Sequence, residues 1–233
     1  MRGINFKTVI GALALSLTAG AAFADELIEF RHVERDRLYG KASCYSPRMS
    51  SRAQVVKSTN IYQANLSRVQ VKSILSERQF LDFERLTAIA QLKTRGAQAY
   101  AELQSTQIAV QLKNQEGEVI STTMFQWTSD EMDRLRQGQS KSLKINNQGG
   151  TECRAEGSGS KEVCKFDVSA DISDQLAQAQ EAIKDHYLRY RRSGLIVEVI
   201  YQQEARVDCS GKRSVAYAGG LTYEPLLILR DID

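Results

Sequence analysis

The chain has 233 residues, 42% of them hydrophobic, so it is long enough to bury one substantial core or two small ones. It carries 31 lysines and arginines against 28 aspartates and glutamates, and only two histidines. The nearly balanced charge gives no global attraction to polyanions, and two histidines exclude a histidine-rich metal site. We therefore expect no nucleic-acid partner and no cofactor.

The first 24 residues have the pattern of a secretory signal peptide. Two bases stand in the first seven residues, an alanine-rich apolar run covers 9–23, and Ala22-Phe23-Ala24 is a small-x-small cleavage site. The run is short for a membrane span, so cleavage is favoured over anchoring. Cleavage would leave 25–233, with 29 bases against 28 acids, as a periplasmic or secreted protein without a transmembrane segment.

All four cysteines follow this leader, and an even set in an oxidising compartment predicts two disulfides. Cys153 and Cys164 flank a short loop rich in glycine and serine, and a hairpin would bring its ends together. We predict the pairs Cys153–Cys164 and Cys44–Cys209. The second pair would tie the N-terminal part to the turn after the central strand.

The N-terminal part contains few regular patterns. Residues 26–33 alternate partly and predict a first strand, whereas 40–60 is rich in serine and arginine and is interpreted as irregular. Scattered apolar residues over 69–74 predict a further strand. This part, 25–75, is either the start of a single exported domain or a looser segment attached to it.

Two opposing patterns follow. Ser76-Glu77-Arg78-Gln79 matches a capping box and predicts a helix that begins at Glu77, with Phe80 and Phe83 on its buried side. Residues 87–103 alternate instead and predict a hairpin about Arg95-Gly96. We expect a short helix and then paired strands.

The remaining β pattern is clearer. Residues 107–113 and 118–127 alternate on either side of a turn with a glycine, which predicts a hairpin. Another capping box, over 128–131, predicts a short helical turn. Residues 195–201 are apolar on both faces except at Glu198, which predicts a central strand covered on both sides.

The stretch before that strand predicts a long helix over about 172–192. Its apolar residues recur at steps of three and four, acids stand in its first turn and bases in its last. Its end interleaves bases with tyrosines and is a candidate binding surface, although tyrosines on the apolar stripe are also expected in a core. The candidate surface residues are Tyr187, Arg189, Tyr190, Arg191, Arg192 and, from the hairpin, Trp127.

Two residues are candidates for catalysis. Glu198 would be an unusual acid within a central strand, although such an acid more often pairs with a base. His186 stands beside Asp185, but neighbours on a helix point about 100° apart and no Gly-x-Ser-x-Gly elbow is present. We therefore predict no catalytic residue and no metal ligand.

Together these patterns predict an exported α+β protein. An antiparallel, sandwich-like sheet would be packed by the long helix and by the shorter helix from 77, with two disulfides. The predicted function is non-enzymatic binding of another envelope macromolecule, either a protein or a glycan. An envelope hydrolase that uses Glu198 or His186 is the first alternative, and a carrier for a small apolar ligand is the second.

Overall fold

Alternation of buried and exposed residues runs through most of the chain and produces strands. The computed structural model describes residues 25–45, 52–128, 143–147, 153–168, 181, 184–185 and 194–232. Within these residues the elements are β1 (Glu26–Ile28), β2 (Arg31–Arg35), β3 (Tyr39–Cys44), β4 (Arg52–Leu66), α1 (Arg68–Leu75), β5 (Gln79–Arg95), β6 (Ala99–Lys113), β7 (Val119–Thr128), β8 (Leu143–Asn147), β9 (Arg154–Glu156), β10 (Lys161–Val168), β11 (Leu195–Cys209), β12 (Ser214–Thr222) and β13 (Leu226–Asp231).

The described strands form two antiparallel sheets. In the first sheet, β5 pairs with β12 and β13 along one edge and with β10 along the other. Strands β3 and β1 extend the first edge, and β8 extends the second. The second sheet has the order β2-β4-β11-β6-β7, and β9 also pairs with β6. The turns from β5 to β6 and from β11 to β12 send consecutive strands into different sheets.

The core lies between the two sheets. On β11 the odd-numbered residues from Leu195 to Cys209 are all buried, and they face the first sheet. The facing side of the first sheet carries small residues, which let the backbones of the two sheets approach closely. A Cβ on Gly40 would stand 2.9 Å from a methyl carbon of Val56, so only glycine leaves room for this contact.

The predicted α+β class is wrong, because the described chain is mostly β and its core is closed by sheet against sheet. The long inner faces of β5 and β11 both carry buried residues, and two such faces bury each other when the sheets stack. The sandwich-like antiparallel pairing was predicted. The predicted packing of helices on a single sheet was wrong.

The helix predicted from Glu77 is also wrong. The capping box that forms is nine residues earlier: the Ser67 hydroxyl accepts from the Gln70 amide, and the Gln70 side chain accepts from the Ser67 amide at 2.6 Å. Helix α1 ends at Ser76, and Glu77 takes a positive φ of 56° that stops it. Since both serines precede a glutamine by three residues, the motif alone does not choose between them.

Strand β5 replaces that helix. Its buried residues alternate up to Arg85, where the register with β13 shifts, and the alternation then resumes in the opposite phase. This irregularity hides the two-residue period from the sequence pattern. The segment 40–60, interpreted as irregular, contains β3 and most of β4, while the strand expected over 69–74 lies in α1.

Several local predictions are confirmed. Strand β11 contains the predicted central strand and continues to Cys209, paired on both sides. The chain turns at Gly96, whose φ is +93°, as predicted, but the predicted hairpin is wrong, because β5 and β6 pair in different sheets and not with each other. Both disulfides have the predicted pairing, with Cα–Cα distances of 6.0 Å for Cys44–Cys209 and 5.8 Å for Cys153–Cys164.

Other predictions fall outside the described residues. The signal peptide and the helical turn after 128 are among them. Of the long helix over 172–192, only Glu181, Lys184 and Asp185 are described, and these three are helical. Lys184 forms an ion pair with Glu77 at 2.5 Å, next to the end of α1. The division into a leader and a single domain over 25–233 stays a prediction.

The two disulfides should contribute unequally to stability. Loop closure is costlier for the 165-residue separation of Cys44–Cys209 than for the 11-residue separation of Cys153–Cys164. Loop-closure entropy predicts losses of about 5 kcal/mol and about 3 kcal/mol when the pairs are replaced by alanine. Urea unfolding of the two double variants measures both. A larger loss for the short loop would contradict this ranking.

Two buried threonines provide a matched test of polar burial. The Thr106 hydroxyl has no hydrogen-bond partner among the described residues, whereas the Thr87 hydroxyl donates to Asp167 at 2.6 Å. We expect Thr106→Val to raise the free energy of unfolding or leave it unchanged, and Thr87→Val to lower it by about 1–3 kcal/mol. Thermal and urea unfolding measure both variants. A greater loss for Thr106→Val would show that its hydroxyl has a partner in solution.

Candidate functional site

A cleft of about 680 Å³ opens where the N-terminal strands cross between the sheets. Strand β1 pairs in the first sheet, β2 pairs in the second, and β3 returns to the first. The connecting backbone frames an opening beside the end of β12. The lining residues are His32, Arg35, Asp36, Arg37, Leu38, Tyr39, Asn60, Tyr62, Gln91, Tyr217, Gly219, Gly220, Leu221, Thr222 and Glu224.

Backbone hydrogen bonds hold the frame of the cleft in place. The Asp36 amide donates to the Thr59 carbonyl at 3.0 Å, and the Asn60 side chain donates to the Asp36 carbonyl at 2.8 Å. On the opposite side, the Gly220 amide donates to the Leu38 carbonyl at 3.0 Å. The loop between β2 and β3 is therefore tied to both sheets, and its conformation is set by the sandwich.

Aromatic contacts organise the two walls. The His32 ring stacks on Tyr62 with centroids 4.3 Å apart, and Tyr62 meets the fully buried Tyr201 edge to face at 5.8 Å. On the other wall, Tyr39 meets Tyr217 edge to face at 5.6 Å. Tyr39 is 60% exposed, so it presents a ring to any molecule that enters the cleft.

The Tyr201 phenol, which packs behind Tyr62, is buried. Burial raises the pKa of this phenol, and the nearby Tyr62 raises it further. Tyr201 therefore stays neutral across the physiological range. Its role is to support Tyr62 from behind, as part of the packed core.

Glycines form the floor. A Cβ on Gly220 would stand 2.5 Å from the side-chain oxygen of Gln203 and 2.7 Å from Leu38, so any larger residue would displace the frame. At Gly219 a Cβ would stand 2.5 Å from the Tyr217 hydroxyl. Both residues keep the floor low and let the Tyr217 side chain lie over the backbone.

Glu198, the candidate catalytic acid, lies away from this cleft. It is 4% exposed, it forms an ion pair with Lys113, and it accepts from the Gln63 amide at 2.5 Å. These partners flank it on the neighbouring strands β6 and β4 and engage both carboxylate oxygens. Pairing of this kind holds strands together, and it is the common role for an acid in a strand.

The remaining predicted site residues are not assembled around the cleft by the described structure. His186 and the candidate surface formed by Tyr187, Arg189, Tyr190, Arg191 and Arg192 lie outside the described residues. Trp127 lies in β7, where its backbone pairs with Thr106. Across the described ranges, no group of three or more histidine, cysteine, aspartate or glutamate side chains could hold a metal ion.

Sequence reasoning missed the cleft because its lining comes from five separate strands. His32 is exposed, and its stacking partner Tyr62 is 30 positions away along the chain. The local signal for the cleft is the pair Gly219-Gly220 next to Tyr217. This pair lies inside β12, where a glycine in a strand marks a close approach of other side chains to the backbone.

The ion pair of Glu198 can be tested by a double-mutant cycle. Lys113→Met leaves a buried carboxylate without its cation, and Glu198→Gln removes the acid. We expect each single change to lower the free energy of unfolding by about 3–5 kcal/mol, because the remaining group is desolvated. The double variant should lose clearly less than the sum of the two. Simple additivity in urea unfolding would contradict a coupled structural pair.

Comparisons with known proteins leave the cleft to be interpreted from its own geometry. No protein-family model matches the sequence, and no curated protein sequence matches it significantly. Within the part of the chain that the structure describes, no helix has the length and apolar character needed to cross a membrane. The function must therefore be argued from the residues that line the cleft.

Proposed function

We propose that this is an exported, non-enzymatic protein that binds part of a second envelope macromolecule in the cleft between its two sheets. The observation that carries the proposal is a preformed cleft in which exposed aromatic rings stand above a glycine floor. Its frame is hydrogen-bonded to both sheets and is therefore preorganised. Little ordering is needed when a partner enters, so the entropic cost of binding is small.

The size and lining of the cleft favour a polar partner. A volume of about 680 Å³ lies within the range of ligand sites, about 300–1,000 Å³. Arg35, Arg37, Asp36 and Glu224 contribute charges, and Asn60 and Gln91 contribute amides. Because charged groups ring the opening, a small apolar ligand is disfavoured relative to a partner that offers hydrogen-bonding groups.

Binding is also favoured over hydrolysis by what the organised side chains do. Glu198, one of the two residues that motivated the hydrolase alternative, is engaged by Lys113 and Gln63 and does not line the cleft. The other, His186, lies outside the described residues. A hydrolase that uses Glu198 is therefore disfavoured.

The proposed compartment rests on two kinds of support. The two disulfides are compatible with an oxidising environment outside the cytosol. The leader over 1–24 would deliver the chain there if it is cleaved. Periplasmic residence or secretion is therefore part of the proposal.

The cleft can be tested with a matched pair of tyrosine variants. Tyr39 lines the cleft and is 60% exposed, whereas Tyr45 is 64% exposed and does not line it. We expect Tyr39→Ala to reduce capture of a specific species from solubilised envelope by at least about tenfold, because an aromatic anchor contributes on the order of 2 kcal/mol. Affinity capture with tagged mature protein, followed by mass spectrometry and glycan analysis, measures it.

The control variant is Tyr45→Ala, which should capture as much as the unmodified protein. Both variants remove an exposed ring, so their melting temperatures should stay close to each other. Equal capture by all three proteins would contradict the proposal that the cleft is the binding site. Steady hydrolysis of an ester, peptide or glycan by the pure protein would overturn the non-enzymatic function itself.

A further inference from the structure

A row of basic side chains crosses the outer face of the first sheet, beside the cleft. Lys41 lies opposite Tyr217, Tyr217 lies opposite Lys93, and Lys93 lies opposite Lys161, on the four neighbouring strands β3, β12, β5 and β10. All three lysines are exposed. Residues directly opposite in antiparallel strands share a face, and the Lys93 ammonium indeed lies 6.0 Å from the centre of the Tyr217 ring.

Arg95 extends this basic row by one position along β5. It is exposed and stands two residues from Lys93, on the same face. Among the residues that the structure describes, none of the four bases forms an ion pair. Neighbouring strands are about 4.8 Å apart, so the basic row spans about 14 Å.

Three acids elsewhere on the same sheet already have basic partners. Asp167 forms an ion pair with Lys165 at 2.7 Å and accepts from Thr87. At the far end of β5, Asp82 and Glu84 both bind Arg230. The basic row therefore keeps a concentrated positive charge on a protein whose overall charge is nearly balanced.

The arrangement costs stability, which points to a ligand. Like charges directly opposite each other destabilise a sheet, and Lys93 and Lys161 are such a pair. An anion placed between them would remove the repulsion. The ring of Tyr217 beside them would pack against an apolar surface of the same molecule.

The basic row is continuous with the cleft. Tyr217 belongs to both, and its neighbours Tyr39, Gly219 and Gln91 line the cleft. A chain-like partner can therefore lie in the cleft and continue over the lysines. A flat membrane surface would meet the lysines but would not enter the cleft. Nucleic acid fits the charge, but the proposed export gives it no place as a partner.

We propose that the basic row binds an anionic glycan, a polymer of sugar rings that carry carboxylate or phosphate groups, and that the same polymer extends into the cleft. This inference rests on the proposed binding function and names the chemistry of its partner. Lysines neutralise the charged groups, tyrosines pack against ring faces, and Gln91 hydrogen-bonds to hydroxyls.

The test uses the mature protein and defined probes. Binding of oligogalacturonate, which is carboxylated, of phosphomannan fragments, which are phosphorylated, and of neutral dextran fragments is measured by calorimetry at low and high salt. The variant is Lys93→Gln/Lys161→Gln. The control is Arg68→Gln/Lys72→Gln, which removes the same charge from exposed positions on α1.

We expect one of the two anionic probes to bind, with affinity that falls as salt rises. The lysine variant should weaken it by about tenfold, because two exposed charge pairs are lost, and the control should not. The preferred probe distinguishes a carboxylated from a phosphorylated glycan. The melting temperature of the lysine variant at low salt should equal or exceed that of the unmodified protein, because the repulsion between the lysines is removed.

Other outcomes overturn the inference. If dextran fragments bind as tightly as the anionic probes, or if neither anionic probe binds, the basic row does not recognise an anionic glycan. If phosphatidylglycerol vesicles or single-stranded DNA bind through the lysines and the glycans do not, the partner belongs to a different class. If Tyr39→Ala still reduces capture from solubilised envelope, the cleft remains supported as a binding site. The proposal for the cleft and the proposal for the basic row can therefore fail separately.

Discussion

The structure depends on the pairing of β11 along its whole length. Fifteen residues, Leu195–Cys209, are hydrogen-bonded to β4 on one edge and to β6 on the other. This places one continuous row of buried side chains against the first sheet. The facing residues include alanines and glycines, so the two sheets approach closely. The N-terminal strands β1, β2 and β3 cross from one sheet to the other, and the cleft lies at that crossing.

Charge is distributed over this framework in a way that composition does not reveal. On the first sheet Asp82 and Glu84 are paired with Arg230, and Asp167 is paired with Lys165, whereas the lysines beside Tyr217 face solvent without an ion pair among the described residues. The overall charge is small, so composition gives no global argument for a polyanionic partner. A sheet register can still gather bases from distant positions into one local positive surface. The glycan proposed for that surface agrees with one of the two partner classes that the sequence predicted.

A local turn or helix start was predictable from the sequence only where its motif occurs at a single position in the segment. Gly96 and the cysteines on either side of the β9–β10 turn identified these two turns directly. The capping pattern did not, because it occurs at both Ser67 and Ser76, and of these two only Ser67 forms the reciprocal hydrogen bonds. The first half of β5 was missed because its alternation changes phase near Arg85, where an irregular register with β13 interrupts it. The second half keeps one phase, and its alternation was recognised.

By itself the sequence determined the disulfide partners, the central strand and the hairpin of β6 and β7, because each depends on neighbouring residues or on a small set of cysteines. Only the tertiary structure decided that sheet packs on sheet, that Glu198 is held between Lys113 and Gln63, and that His32 reaches Tyr62. Those outcomes depend on register between strands that are distant along the chain. A shift of one residue would turn each of these side chains to the opposite face, and local patterns do not encode that choice.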